Sequence, residues 1–158
     1  MIREMLGIAE GILQDLHNDH QEVASQLETI MDTEDAAHRT ALFEKVRAEL
    51  AAHLEAEEEV LYSRLERSDD EDARTFALEG ANEHHLVEDQ LRRMMQDPNT
   101  GGEAWTAQLT VLREMVEHHV DEEESTGFSC ARSEFDKEEL ERLGQQFQAQ
   151  KQAVLNRV

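Results

Sequence analysis

The stretch HLEAEEEVLYS, residues 53–63, places a histidine and a glutamate on the apolar face of an amphipathic helix. Val46 and Leu50 precede it on that face, and the next two positions of the face are His53 and Glu57. This spacing keeps all four side chains on one side of the helix. A carboxylate in a core position is expected only where it is paired or bound to a metal. The stretch therefore indicates a helix that carries chemistry on its buried face.

The same helical period recurs along the chain and predicts four long helices and a fifth near the C-terminus. We expect helix A over about residues 3–31 and helix B ending near Arg67. Helix C follows a capping box formed by Ser68 and Glu71. The segment DPNTGG, residues 97–102, is the clearest break in the chain. The remaining predicted elements are helix D from Trp105 to Glu123, the less apolar stretch STGFSCARSEF, and a final helix over about 136–157 capped by Asp136 and Glu139.

Long amphipathic helices joined by short connections favour an all-α, up-down-up-down four-helix bundle. We predict a single domain over residues 1–158, with the bundle over about 3–125. The C-terminal helix, about 136–157, is expected to pack outside the bundle or on a partner.

Composition excludes several classes of function. The chain has 158 residues, 15 Lys plus Arg and 37 Asp plus Glu, and a formal net charge of −22. The electrostatic field of this negative charge repels phosphate backbones and anionic lipids, so nucleic acid and membranes are not expected as partners. The start of the sequence resembles no signal peptide, and no segment has about 20 apolar residues, so we expect a cytoplasmic protein. A single cysteine, Cys130, excludes an internal disulfide and a cysteine-based zinc cluster.

Two segments repeat within the chain. DHQEVASQL (19–27) aligns with EHHLVEDQL (83–91), which lies 64 residues later, and HLEAEEEVLYS (53–63) aligns with HVDEEESTGFS (119–129), which lies 66 residues later. The two similar offsets indicate one duplicated helical hairpin with an approximate twofold axis. Matching core positions should then face one another across that axis: His20 with His84, His53 with His119, and Glu57 with Glu123.

These six residues are our predicted metal ligands. Four neutral imidazoles and two carboxylates suit two cations better than one, because a carboxylate can bridge metals about 3.5 to 4 Å apart. With no thiolate available, iron is the first choice, ahead of manganese and zinc. The alternative is a metal-free helical interaction domain in which the histidines are hydrogen-bonded core residues.

Several neighbouring residues remain open to two interpretations. His17, His85 and His118 could support the ligands or lie at the surface, and His38 is not expected to be a ligand. We expect the acidic residues Glu55, Glu58 and Glu59 to form a solvated face. The remaining candidates are Glu88 (an extra ligand or solvent-facing), Tyr62 and Phe128 (core packing or a role beside the metals), and Cys130 (a buried thiol or a redox-active one).

The elements DH in helix A, HLEAEE in helix B, EHH in helix C and HHVDEEE in helix D resemble the hemerythrin family, in its bacterial HHE cation-binding branch. The resemblance covers about residues 10–150. It implies a four-helix bundle around a non-heme di-iron centre with an oxo, hydroxo or carboxylate bridge, in which Glu57 and Glu123 bridge the irons. Oxygen-carrying members have a further histidine four residues after His84, where this sequence has Glu88. The ferritin-like Glu-x-x-His spacing does not occur.

The resemblance implies a small stress- or redox-related protein that binds or disposes of dioxygen or peroxide, with nitric oxide as a further candidate ligand. Catalase-like activity on peroxide is one form that this function could take. The alternative is an iron- or oxygen-responsive sensor or binding module without catalytic turnover. We expect a monomer or a homodimer.

Overall fold

The computed structural model describes residues 10–157, and over that range every regular element is helical. The predicted all-α class with an additional C-terminal helix is confirmed. The part of helix A expected at residues 3–9 lies outside the described residues. The elements are α1 (Gly11–Asp32), α2 (Ala36–Glu57), a first π-helical segment (Glu58–Tyr62), α3 (Ser63–Leu65), α4 (Glu71–Met95), α5 (Glu103–Glu122), a second π-helical segment (Glu123–Gly127), α6 (Phe128–Glu134) and α7 (Lys137–Leu155).

The core consists of two apolar clusters, one at each end of the bundle. Helix α1 begins in the first cluster with Ile12 and ends in the second with Ile30, whereas α2 begins in the second and runs into the first. Helices α4 and α5 repeat this alternation, from Phe76 to Met94 and from Trp105 back towards Phe128. The four long helices therefore run up, down, up and down, and each crosses a middle layer between the clusters.

Aspartate side chains cap α2, α4 and α7. Asp35 accepts a hydrogen bond from the backbone N–H of His38 at the start of α2. Asp136 and Glu139 form the predicted capping box at the start of α7. The capping box predicted at Ser68 is wrong, because Asp70 is the N-cap of α4.

Ser68 instead stabilises the turn before α4. Its hydroxyl accepts the backbone N–H of Asp70 at 3.0 Å and donates to the carboxylate of Glu134. The side chain is therefore already bonded to a neighbouring helix and is not available to cap α4.

Helix D extends further than its sequence pattern indicates. The stretch STGFSCARSEF was expected to connect two helices, but the chain stays helical through the second π-helical segment and α6 to Glu134. A π-helical turn inserts one residue into the helical repeat and shifts the apolar positions that follow. Phe128 and Ala131 are fully buried after this shift.

Helix α7 packs along α1 and α2. The helices approach so closely at Gly11 and Gly144 that a Cβ on either glycine would overlap neighbouring atoms; on Gly144 it would lie 2.9 Å from the backbone nitrogen of Ile12. Gly11 also has a φ of +49°, which glycine adopts without strain. Within residues 10–157, no helix is both long enough and apolar enough to cross a membrane.

Candidate metal centre

The six predicted ligands converge in the middle layer between the two apolar clusters. They form two overlapping groups, and the donor atoms within each group lie within 4.8 Å of one another. Both groups contain Glu57 and Glu123. His20 and His53 complete the first group, which we call the α1–α2 position, and His84 and His119 complete the second, the α4–α5 position.

Distances within the centre follow the internal repeat. Nε2 of His20 lies 2.9 Å from Oε1 of Glu123, and the matching pair, His84 and Glu57, lies at 3.0 Å. The two His-x-x-x-Glu pairs match as well, with 3.8 Å between His53 and Glu57 and 3.7 Å between His119 and Glu123. The two histidines of each position come from one hairpin, whereas the carboxylates are common to both positions.

The donor atoms are buried, and many of them lack hydrogen-bond partners. Glu57 and Glu123 are fully buried. Both carboxylate oxygens of Glu57, Oε1 of Glu123 and Nε2 of His20 and His53 make no contact with hydrogen-bond geometry. Buried polar atoms without such partners are costly and rare in folded proteins. Imidazole nitrogens and carboxylate oxygens that lie within 4.8 Å of one another without hydrogen-bond geometry fit a metal ion bound between them.

Each histidine is oriented from behind by a second carboxylate. Nδ1 of His53 lies 2.9 Å from Asp19, and Nδ1 of His119 lies 2.7 Å from Glu83. An ionised carboxylate only accepts hydrogen bonds, so each Nδ1 carries the hydrogen and Nε2 faces the centre. Such carboxylate–histidine pairs are the usual support of metal-bound imidazoles. The remaining two pairs are His20 with Glu124 at 2.8 Å and His84 with Glu58 at 2.9 Å.

The helical pattern did not predict a role for these four outer carboxylates. Glu58 was expected in a solvated face, and this prediction is wrong because Glu58 accepts the hydrogen bond of His84. The signal was present in the repeat: Asp19 and Glu83 directly precede a predicted ligand, and Glu58 and Glu124 directly follow one.

The carboxylates also control the ionisation of the centre. Burial lowers the pKa of His20, but the adjacent carboxylates outweigh it and raise that pKa to about 10. The same balance raises the pKa of His84 to about 9 and that of His119 to about 10. Burial opposes ionisation of Glu57, yet its contacts with Glu123 and the imidazoles hold its pKa well below the ordinary value. A metal must therefore displace protons from these histidines.

A model of the hemerythrin HHE cation-binding domain matches residues 11–131 of this chain. The chain belongs to that family. The match includes all six residues of the two positions and ends before α7, which begins at Lys137.

Two curated relatives are more distant. The chain is 27% identical over 144 residues to a protein named DNA nickase from Nostoc sp., and the alignment covers 89% of this chain but 39% of that protein. It is 26% identical over 151 residues to an uncharacterized hemerythrin-like protein from Schizosaccharomyces pombe, covering 96% of this chain and 72% of that protein. No solved structure matches the chain.

Tyr62 also contacts the centre of this hemerythrin domain. Its hydroxyl donates a 2.5 Å hydrogen bond to Oε2 of Glu123, and its ring stacks on His84 with 5.0 Å between centroids. Burial and the charges of Glu123 and Glu57 raise the pKa of Tyr62, so the hydroxyl stays protonated. Phe128, at the matching place in the repeat, has no hydroxyl and packs in the core.

The other histidines lie outside the two groups. Nδ1 of His17 lies 3.0 Å from Glu124, so His17 supports an outer carboxylate. His118 does the same for Glu83 at 3.2 Å, although its side chain is 66% exposed. His85 and His38 are exposed.

Glu88 is half-buried and Cys130 is buried, and neither belongs to a metal-binding group among the described residues.

Proposed function

We propose that this hemerythrin-like protein binds two iron ions in its middle layer and uses them to bind or dispose of dioxygen or peroxide, with nitric oxide as a further ligand. The observation that supports this proposal is the arrangement of the donor atoms in two overlapping groups, each with two imidazoles and both shared carboxylates. Imidazole and carboxylate donors without thiolates favour iron over softer metals. The same proposal makes it a stress- or redox-related protein of the cytoplasm.

In this proposal, His20 and His53 would help to hold one iron and His84 and His119 the other, and Glu57 and Glu123 would be available to both. Bound iron would supply the electrons and the open coordination sites that oxygen species require. The protein's own part is orientation: the outer carboxylates fix the imidazole rings, and the hydrogen bond from Tyr62 fixes Glu123.

A small apolar chamber beside the centre supports a small ligand. The chamber has a volume of about 20 Å³. A cavity needs roughly 10–15 Å³ to hold one water molecule, so this space suits a diatomic molecule or peroxide. Its wall contains three of the proposed histidine ligands together with the apolar side chains Val23, Leu50, Leu54, Val87, Val116 and Val120.

A sensing role without turnover is the second candidate, and one contact favours it. The ring of Phe147 on α7 packs against the ring of His53 at 5.5 Å between centroids. A change at the centre could thus be transmitted to a helix that lies outside the matched domain. We do not propose for this chain the DNA-related activity in the name of the Nostoc relative, because a net charge of −22 opposes binding to a phosphate backbone.

The first test is the metal content of protein purified in air without an affinity tag. About two irons per chain are expected, with a sharp loss in Glu57→Ala and His119→Ala and no loss in the control His38→Ala, whose side chain is 79% exposed. Peroxide consumption and nitric oxide binding by the loaded protein then separate turnover from sensing. Failure to bind metal even after anaerobic loading with ferrous iron would contradict the proposal.

A further inference from the structure

Helix α7 covers the α1–α2 position and not the α4–α5 position. Phe147 packs against the ring of His53, and Nζ of Lys151 lies 2.8 and 2.9 Å from the two oxygens of Asp19. Asp19 in turn accepts the Nδ1 hydrogen of His53 at 2.9 Å. Lys151, Asp19 and His53 therefore form a continuous chain from the last helix to one half of the centre.

Within residues 10–157, the matching contact on the other half has no such cover. Glu83, the counterpart of Asp19, accepts from His119, and its second partner is His118, which is 66% exposed. Lys151, the second partner of Asp19, is only 21% exposed. The internal repeat thus produces equivalent ligands with different surroundings.

Exposure of the outer carboxylates shows the same difference. Behind the α1–α2 position, the side chains of Asp19 and Glu124 are 14% and 12% exposed. Behind the α4–α5 position, those of Glu83 and Glu58 are 27% and 31% exposed, about twice as much. Water and competing ligands therefore reach the support of one position more readily than that of the other.

The adjoining clefts differ as well. Glu83 lines an open groove of about 610 Å³ between α4 and the α5–α6 helix, whereas the cleft beside Lys151 and Asp19 measures about 100 Å³. The larger groove also carries the acidic side chains Asp72, Glu79 and Glu122, which attract cations.

We infer that α7 closes the α1–α2 position, so that metal enters and leaves the centre through the α4–α5 position. This inference rests on the proposed metal function and adds to it that the two positions are kinetically different. Lys151 is a positioning residue that holds Asp19, and through it His53, in place.

The test is metal release from protein loaded anaerobically with ferrous iron and mixed with excess colorimetric chelator. Wild-type protein should release its iron in two phases of equal amplitude, one fast and one slow. Lys151→Met removes the partner of the outer carboxylate Asp19 and should accelerate the slow phase by about 10-fold, the lower end of the range over which loss of an outer carboxylate itself weakens metal sites. The fast phase should not change.

Matched variants assign the phases. Lys151→Arg keeps the charge and should retain the slow phase, and Lys137→Met, an exposed lysine on the same helix, should behave as wild type. Glu83→Gln should accelerate the fast phase alone. Circular dichroism of metal-free Lys151→Met should show unchanged helicity, which separates a local effect from unfolding.

The outcomes distinguish this inference from the proposed function. Bound iron that leaves in a single phase, or a slow phase that Lys151→Met does not accelerate, overturns the inference and leaves the proposed function intact. Absence of bound iron overturns both.

Discussion

The hydroxyl of Tyr62 donates a 2.5 Å hydrogen bond to Oε2 of Glu123, one of the two carboxylates that both metal positions share. Glu123 is fully buried, and the other oxygen of its carboxylate lacks a partner with hydrogen-bond geometry. The tyrosine therefore determines which way this carboxylate faces. It lies in the first π-helical segment, one turn after Glu57.

Replacing Tyr62 by phenylalanine should test whether the hydroxyl holds the Glu123 carboxylate in place. Loss of a hydrogen bond to a buried charge should destabilise the metal-free protein by about 1.5–3 kcal/mol, measured by urea unfolding. The packing against His84 is kept, so helicity should not change. Unchanged stability in Tyr62→Phe would mean that the hydroxyl does not hold Glu123.

Gly80 provides the space for the Tyr62 ring. A Cβ at Gly80 would lie 2.7 Å from Cε2 and 2.9 Å from the hydroxyl oxygen of Tyr62. Gly80→Ala gains about 0.5–1 kcal/mol of helix stability. Overpacking costs about 1–3 kcal/mol, so a net loss of stability is expected in urea unfolding.

The control for Gly80→Ala is the same substitution in a Tyr62→Ala background. There the overlap is gone, and only the gain in helix stability should remain. Equal effects in both backgrounds would show that the two residues do not interact.

Glu57→Leu separates a metal site from a structural cluster. In iron-loaded protein, the variant should lose metal and melt at a lower temperature, because bound metal stabilises the folded state. The control Glu59→Leu changes an exposed position of the same acidic run and should keep its iron. A Glu57→Leu protein that is more stable than wild type would instead support a metal-free helical domain.

The metal-free protein should lose stability as the pH rises. The pKa values of His20, His84 and His119 are raised from 6.5 to about 10, 9 and 10. The folded state therefore binds more protons than the unfolded state between these values. This contribution is fully present below pH 6.5 and is lost as the pH passes about 9 to 10.

Urea unfolding in the presence of a chelator, at several pH values between 6.5 and 9, measures this slope. Metal affinity should change in the opposite direction and rise with pH, because binding displaces the same protons. A flat stability profile in the chelated protein would contradict the raised pKa values.

The helices and the convergence of six side chains could be predicted from the sequence because both depend on periodicity. Residues three and four apart share a helix face, and the repeat relates one hairpin to the other. His53 and Glu57 were identifiable for this reason, as were His119 and Glu123, although His118 adjoins His119. The connection at residues 97–102 was predicted from its turn-forming proline, asparagine and glycine residues.

Features that depend on three-dimensional neighbours were not predictable in this way. The π-helical segments break the period, so the helical continuation from Glu123 to Glu134 was missed. Ser68 has the spacing of a cap, but its contact with Glu134 comes from a distant part of the chain. From sequence alone, the acidic run around Glu58 predicts a solvated face. Only the structure shows that His84 lies within hydrogen-bond distance of Glu58.

The distribution of the ligands over the two hairpins has a consequence for the assembly of the bundle. His20 and His53 belong to the first hairpin and His84 and His119 to the second, but both positions contain Glu57 and Glu123. Neither hairpin can complete a metal position alone. Cutting the chain within residues 97–102 should therefore give two fragments that associate as a heterodimer. Bound metal should strengthen this association, because each metal position takes ligands from both fragments.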